Sequence, residues 1–429
     1  MYRETGASLE GVASVGSDRR DGNWFTISLF WSLFLLPSFG VPYQVERVAL
    51  GGLAALLLLW FAMRGRLPRR YLGRSVPNLV LPLLLISVLY TVTHAWWVVI
   101  VGAETGIRDL LELVRYPFIL LLVLFLIAVQ RRVSREAFLR RCVIPSIWVS
   151  MSLFLVCLFD IPGLSDVIRY VYSGTKSSLN LDMLWIRWSI PFENPNFLGV
   201  YLVWCLATLL FFTKRLPPVS IICCLVLTFA SGSRTAWVAA LYIGIVWAVA
   251  TVLHLTRRRL LVLTLCIAAV TSFFLVIDVG RFARAGLIGE AIARGSILYE
   301  GNVAFRVEQM LELGTKTLSV SPVFGFGPAK QALVAVIDSQ YLLWLVRMGI
   351  IGLVLVMSFY TMIALVVPLR AAAREKRHYE AWGIVAFAGA TAICLLTGAF
   401  LDNMRLLFLG AALLVWVISV PRTAARSVR

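Results

Sequence analysis

Phe192-Glu193-Asn194-Pro195-Asn196-Phe197-Leu198-Gly199, running on through Val200-Tyr201-Leu202-Val203-Trp204-Cys205 to Thr213, decides how this chain is read. From Phe197 to Phe212 the run holds no charged residue. A helix that crosses a hydrocarbon core of about 30 Å needs roughly 20 predominantly apolar residues. Working outward, comparable runs occupy 24–40, 45–63, 78–101, 110–130, 142–161, 217–231, 235–254, 260–280, 338–367, 381–400 and 405–420. With 192–213 they predict about twelve transmembrane helices. The first run reads as a retained span rather than a cleaved leader: a polar stretch of about twenty residues precedes it, and Val41-Pro42-Tyr43 stands where small residues would mark cleavage.

Composition agrees. The chain has 429 residues, 60% hydrophobic and 14% charged, with a mean hydropathy of +0.87, against about 45–50% apolar and about 25% charged in a soluble domain. That balance excludes a soluble globular enzyme, a disordered chain, a secreted disulfide scaffold and a coiled coil. The fold class is therefore all-α, a polytopic membrane helix bundle. Residues 1–23 form an N-terminal tail, 24–420 the transmembrane domain with outer loops at about 162–191 and 281–337, and 421–429 a C-terminal tail.

A net charge of +18 invites a nucleic-acid reading, because basic stripes bind phosphate backbones. Its distribution argues otherwise. With the N-terminus placed in the cytoplasm, the tails and loops on that side hold 25 basic and 7 acidic residues, which accounts for the whole net charge. The remainder holds 15 of each sign. Enrichment of Lys and Arg in cytoplasmic loops sets membrane orientation, so both termini are expected in the cytoplasm. The basic balance reports topology and contact with anionic lipid rather than a nucleic-acid partner.

Cys142, Cys157, Cys205, Cys223, Cys224, Cys266 and Cys394 all lie in or at the edge of apolar runs, where small packing residues are expected rather than a disulfide framework. His94, His254 and His378 are scattered over separate segments, and no His/Cys/Asp spacing resembles a metal site. No cofactor is expected.

Polar residues gather instead at outer helix ends. Arg187 and Glu193 flank the start of the 192–213 run, with Asn194-Pro195-Asn196 just inside. Arg234 follows Ser231-Gly232-Ser233, Asp338 opens the 338–367 run, and Arg347 lies nine residues deeper, about 13 Å along a helix. Glu112 and Arg115 share a helical face, as a mutual ion pair or as functional groups; Arg47, Arg108 and Arg281 read as interfacial anchors. An ionisable group at membrane depth is a functional hypothesis by default, although Arg347 also suits a buried interhelical pair. In the larger loop, Val303, Val307, Met310, Leu311 and Leu318 share one face of an amphipathic helix over 303–318, suited to lying on the bilayer or over a cavity. Ser321-Pro322 and Phe324-Gly325-Phe326-Gly327-Pro328 then read as turns, since no Lys-Ser/Thr follows the glycines and no strand precedes them.

Guanidinium is always charged and offers a fork that matches phosphate oxygens. Several arginines at an outer membrane face suit an anionic lipid headgroup, such as the diphosphate of an isoprenoid carrier. Asp338 could then act as general base while the arginine-bound phosphate leaves.

These segments resemble the bacterial O-antigen ligase and polymerase family over roughly residues 185–355. Phe192-Glu193-Asn194-Pro195-Asn196-Phe197-Leu198-Gly199 is similar to its Asn-Pro-Asn segment, and Ser231-Gly232-Ser233-Arg234 to its Ser-x-Ser-Arg turn. Arg306, followed by Ser321-Pro322-Val323-Phe324-Gly325-Phe326-Gly327-Pro328, resembles the Arg and Pro-x-x-Gly-x-Gly-Pro of its large periplasmic loop. Ligases carry a His, then Asn, Ser or Gln, nine residues and Gly-x-x-Gly. Here Ser339 and Gly349-Ile350-Ile351-Gly352 fit, but Asp338 holds the His position and no histidine lies nearby in sequence, which favours the polymerase branch.

The resemblance implies a GT-C-like membrane glycosyltransferase of the bacterial inner membrane with a periplasmic active site. It would move a growing glycan from undecaprenyl diphosphate onto a lipid-linked repeat unit, with a chain-length regulator and a flippase as candidate partners. In that scheme Arg234 and Arg306 neutralise the leaving diphosphate. Asp338 deprotonates the acceptor hydroxyl, with Glu193 as second choice. Arg187, Asn194, Asn196 and Arg347 orient substrate. The alternatives are a ligase acting on lipid A–core or another acceptor, a transporter of an anionic solute, which would place its polar groups near the midplane, and a scaffolding membrane protein.

Overall fold

The computed structural model describes residues 24, 27–37, 77–99, 135–173, 178–180, 185–253, 301–327, 337, 339–374, 376–398 and 400–414. In chain order the elements are α1 (27–34), α2 (Pro77–Val99), α3 (Arg135–Leu158), α4 (Leu164–Val171), β1 (Ser178–Asn180), β2 (Trp185–Arg187), α5 (Pro195–Phe212), α6 (Pro218–Ala230) and α7 (Arg234–Leu253). They continue with α8 (Gly301–Val320), α9 (Gln340–Thr361, prolonged through a π-turn to Arg374), α10 (His378–Thr397), a 3₁₀ turn Phe400–Asp402 and α11 (Met404–Leu413). The described residues are helical, with one short antiparallel ribbon among them, in which Ser178 pairs with Arg187. Nine of the twelve apolar runs fall on described residues, and each contains helix. The runs 45–63, 110–130 and 260–280 lie outside the described residues, as do Glu112, Arg115, Arg47, Arg108 and Arg281.

Five described helices are long and apolar enough to cross a membrane: Arg135–Leu158, Pro195–Phe212, Arg234–Leu253, Gln340–Arg370 and His378–Thr397. Outward faces in the bundle support that reading. Val238, Leu241, Ile245, Val249 and Val252 are exposed along one side of α7, and Leu85, Val88, Val92 and Val99 along one side of α2. Continuous apolar stripes at helical spacing are unstable against water and stable against lipid. The six described cysteines are buried among the helices.

α5 is the axis of the bundle. Its most apolar stretch is 89% buried, against 17% for that of α9, and it packs against α6, α7, α10 and α11. Trp204 in its middle donates from Nε1 to Thr391 Oγ1 at 2.8 Å and stacks on Phe387 of α10. Indole and hydroxyl thereby satisfy each other where no water is present.

One boundary moves. The run 142–161 begins at Arg135 in the structure, so part of the expected loop 131–141 is helical. The reason is electrostatic. Arg135 donates to both carboxylate oxygens of Glu380 at 2.9 and 3.2 Å, and its guanidinium stands over the ring of Phe212, so the helix extends past its apolar stretch with that charge paired.

α9 is not one regular helix. At Gly349 the backbone leaves helical geometry, with φ 64° and ψ −166°. A break at this depth frees backbone groups that lipid cannot satisfy. The turn 321–327 satisfies them: Phe326 N–H donates to Val346 O at 2.7 Å, Gly327 N–H to Arg347 O at 3.0 Å, and Ile350 N–H to Pro322 O at 2.8 Å. The approach is so close that a Cβ on Gly349 would overlap the carbonyl of Val323, and one on Gly325 would sit 2.5 Å from Val346 O. Leu313 of α8, Phe326, Leu342 and Val346 close an apolar cluster around this seat.

The loop helix is longer than expected, Gly301–Val320, and its faces are distributed differently. Gln309, Leu313 and Thr317 turn toward the protein, whereas Val307, Met310, Leu311 and Leu318 are exposed. Among the described residues the apolar face is exposed, which fits the bilayer alternative for this helix.

Candidate functional site

Four helices begin at the same end of the bundle, and the local sequence explains each start. α5 opens with Asn194 in extended geometry, its Oδ1 accepting from Asn196 N–H at 2.9 Å, and with Pro195 at the first helical position. A missing proline N–H costs nothing there. α11 is capped by Asn403, whose Oδ1 accepts from Leu406 N–H at 2.8 Å, and α9 by Ser339, whose Oγ accepts from Leu342 N–H at 3.5 Å. α7 starts at Arg234 after the turn Ser231-Gly232-Ser233. Ser231 Oγ donates to Thr228 O at 2.6 Å and accepts from Ser233 N–H at 3.3 Å, while Ser233 Oγ accepts from Ala236 N–H at 3.4 Å.

Contacts knit these starts together. Gly199 lets α5 approach the α6–α7 turn, since a Cβ there would stand 2.7 Å from Ala236 Cβ and 3.1 Å from Ser233 Cβ. Thr235 is hydrogen-bonded to Thr397 at the end of α10. Phe197 packs edge-on against Phe400, and Leu401 N–H donates to Gln340 Oε1 at 3.1 Å. Trp188 N–H donates to Ala230 O at 2.9 Å, which draws β2 and Arg187 beside the serine turn.

Of the sequence candidates, Arg187, Glu193, Asn194, Asn196 and Arg234 are all half-buried at this end. Glu193 makes no hydrogen bond or ion pair among the described residues, while Arg187 and Arg234 both hold interactions. Arg347 is buried on α9 just before the Gly349 break, its carbonyl held by Gly327. Arg306 lies in the second turn of α8 by its backbone. Asp338 lies outside the described residues. No group of three or more His, Cys, Asp or Glu residues suited to a metal occurs among the described residues.

Two residues at this end were not singled out by sequence. Arg405, in the first turn of α11, is 3% exposed, donates to the carbonyl of Phe34 and stands 4.7 Å over the ring of Phe192. It also faces Tyr172, whose phenol burial pushes up and Arg405 pulls down; the Tyr172 hydroxyl donates to Leu35 O at 3.1 Å. The available signal was a cation two residues after Asn403 at the head of an apolar run. The second is His94 of α2. Its backbone packs against Gly327, 3.2 Å from where a Cβ would sit, and its Nδ1 is buried without a hydrogen bond among the described residues. The histidine distant in sequence from position 338 is thus brought to the turn that docks on α9. Sequence gave no signal for this, because the contact joins segments more than 200 residues apart.

Helix starts carry a partial positive charge from unsatisfied N–H groups and the aligned peptide dipoles. Four of them converging with Arg187, Arg234 and Arg405 make this end a place suited to an anion. No protein-family model matches the chain, and no curated protein matches it.

Proposed function

We propose that the chain is a polysaccharide polymerase of a bacterial inner membrane, a GT-C-like glycosyltransferase of about twelve helices with cytoplasmic termini. In this reading it transfers a growing glycan from undecaprenyl diphosphate onto a lipid-linked repeat unit at the periplasmic face. The observation that carries the proposal is the convergence of the α5, α7, α9 and α11 starts with several arginines at one end of an apolar bundle.

The chemistry needs a cationic place for the leaving group. The acceptor hydroxyl oxygen attacks the anomeric carbon, the carbon–oxygen bond to the diphosphate breaks, and the diphosphate leaves with the bonding pair. Arg234 and Arg306 neutralise that developing charge, a role in which preorganised donors are effective. The hydroxyl proton passes to Asp338, with Glu193 as second choice. Arg187, Asn194 and Asn196 orient the sugar or phosphate, and Arg347 supports the site from within α9.

The test is polymer synthesis by Arg234→Ala: polymer is lost while the variant still reaches the membrane in wild-type amount. Normal polymer length and yield would overturn the assignment. The buried His94 favours a second reading, a ligase, because the ligase pattern requires a histidine that position 338 lacks. Purified protein with lipid-diphosphate-linked repeat units separates the two. A ladder of lengths supports the polymerase; transfer only to a non-carrier acceptor, abolished by His94→Gln, supports the ligase.

A further inference from the structure

At the opposite end of the bundle, α3 begins at Arg135, α5 ends at Phe212 and α10 begins at His378. Between these ends lies a cleft of about 480 Å³. Four cations line it, Arg135, Lys214, Lys376 and Arg377, against two carboxylates, Glu136 and Glu380. Both arginines donate to the same carboxylate, Glu380, and Lys214 pairs with Glu136. One carboxylate shared by two guanidiniums neutralises a single charge. With Lys376 added, the lining keeps two positive charges in excess. The floor is apolar, formed by Phe211, Phe212 and Tyr379, with the Phe211 and Tyr379 rings 5.5 Å apart and Arg135 5.6 Å above the Phe212 ring.

A cationic rim over an aromatic floor suits a ligand that is anionic at one end and hydrocarbon at the other. Free phosphate would use only the rim. The three helix ends also mark the edge of the apolar layer, the level at which the phosphates of a leaflet lie. Basic pockets between transmembrane helices hold acidic headgroups on this principle. We infer that this cleft binds the phosphate headgroup of an anionic phospholipid from the adjoining leaflet. The inference is independent of the glycosyltransferase reading, since the cleft lies at the other end of α5.

The test uses the full chain purified in neutral detergent, with native mass spectrometry titrations of phosphatidylglycerol and of phosphatidylcholine. Wild type retains phosphatidylglycerol about tenfold more tightly. The double variant Lys214→Ala, Lys376→Ala loses essentially all of that tenfold preference, since each lysine near an anionic lipid phosphate contributes up to about fivefold. Both lysines are exposed, so thermal unfolding in phosphatidylcholine stays at the wild-type midpoint. Lys316→Ala, on α8 at the other end, keeps the preference. An unchanged preference in the double variant, or an equal loss in Lys316→Ala, overturns the inference. Displacement of phosphatidylglycerol by equimolar inorganic phosphate also overturns it, in favour of a free-phosphate site.

Discussion

The two ends of the bundle are both electropositive, and they are so for different reasons. At the end where α5, α7, α9 and α11 begin, much of the positive character comes from backbone N–H groups, supplemented by Arg187, Arg234 and Arg405. At the end where α3 and α10 begin, it comes from side chains, and two carboxylates partly cancel it. Counting Lys and Arg records only the second kind. A helix start contributes about half an elementary charge that no composition table holds. The end built on helix starts is therefore the better candidate for chemistry, and the end built on side-chain cations for lipid contact.

The comparison is most severely tested at the α9 seat, within a helix that starts at the first end. Gly349→Ala forces a Cβ onto the Val323 carbonyl in a backbone conformation that side chains rarely adopt. Backbone strain alone costs about 1–3 kcal/mol, so a large fall in the unfolding midpoint and in membrane yield is expected. Gly244→Ala, where a Cβ meets nothing within 4 Å, leaves both at or above wild type. An unchanged midpoint for Gly349→Ala would mean the turn is not seated on α9.

At the basic end, Glu380→Gln removes the carboxylate that Arg135 and Arg377 share. Loss of a part-buried charged acceptor costs about 1–3 kcal/mol, read as a lowered unfolding midpoint that Arg135→Ala only partly reproduces. A neutral result would show that this end holds its cations without the carboxylate. Smaller again are the caps. Asn403→Ala and Asn194→Ala each lose an acceptor for a first-turn N–H, about 1 kcal/mol. Equal effects at both would support a common architecture for these helix starts. The smallest effect is expected at the exposed face of α8: Leu311→Gln, 65% exposed, shifts the midpoint in detergent by no more than about 0.5 kcal/mol equivalent.

Much of the fold was legible before any coordinates. The run 192–213 became α5 within three residues at either end, because apolar length and Asn-Pro punctuation are local properties. The amphipathic helix at 303–318 was legible as a helix, yet its environment was not. Periodicity shows that two faces differ, but not which one meets protein, and Gln309 and Thr317 were buried in preference to Leu311 and Leu318. The site was legible in part. Arg187, Glu193, Asn194, Asn196 and Arg234 lie close in sequence to helix starts, and that placement survived. Arg405 and His94 were missed, since nothing local distinguishes a cation that reaches the Phe34 carbonyl or a histidine packed on Gly327.

By itself, the sequence determined that this is an apolar, helical, membrane-spanning chain whose cations lie mostly outside its apolar runs. Those properties follow from hydrophobic length and charge, which act residue by residue along the chain. Only the tertiary structure decided that α9 breaks at Gly349 and receives the 321–327 turn, which contacts knit the helix starts to one another, and that basic residues from three separate segments line one cleft. Each of these depends on backbone groups or charges far apart in sequence satisfying one another in space. No local pattern encodes which distant partner will be there.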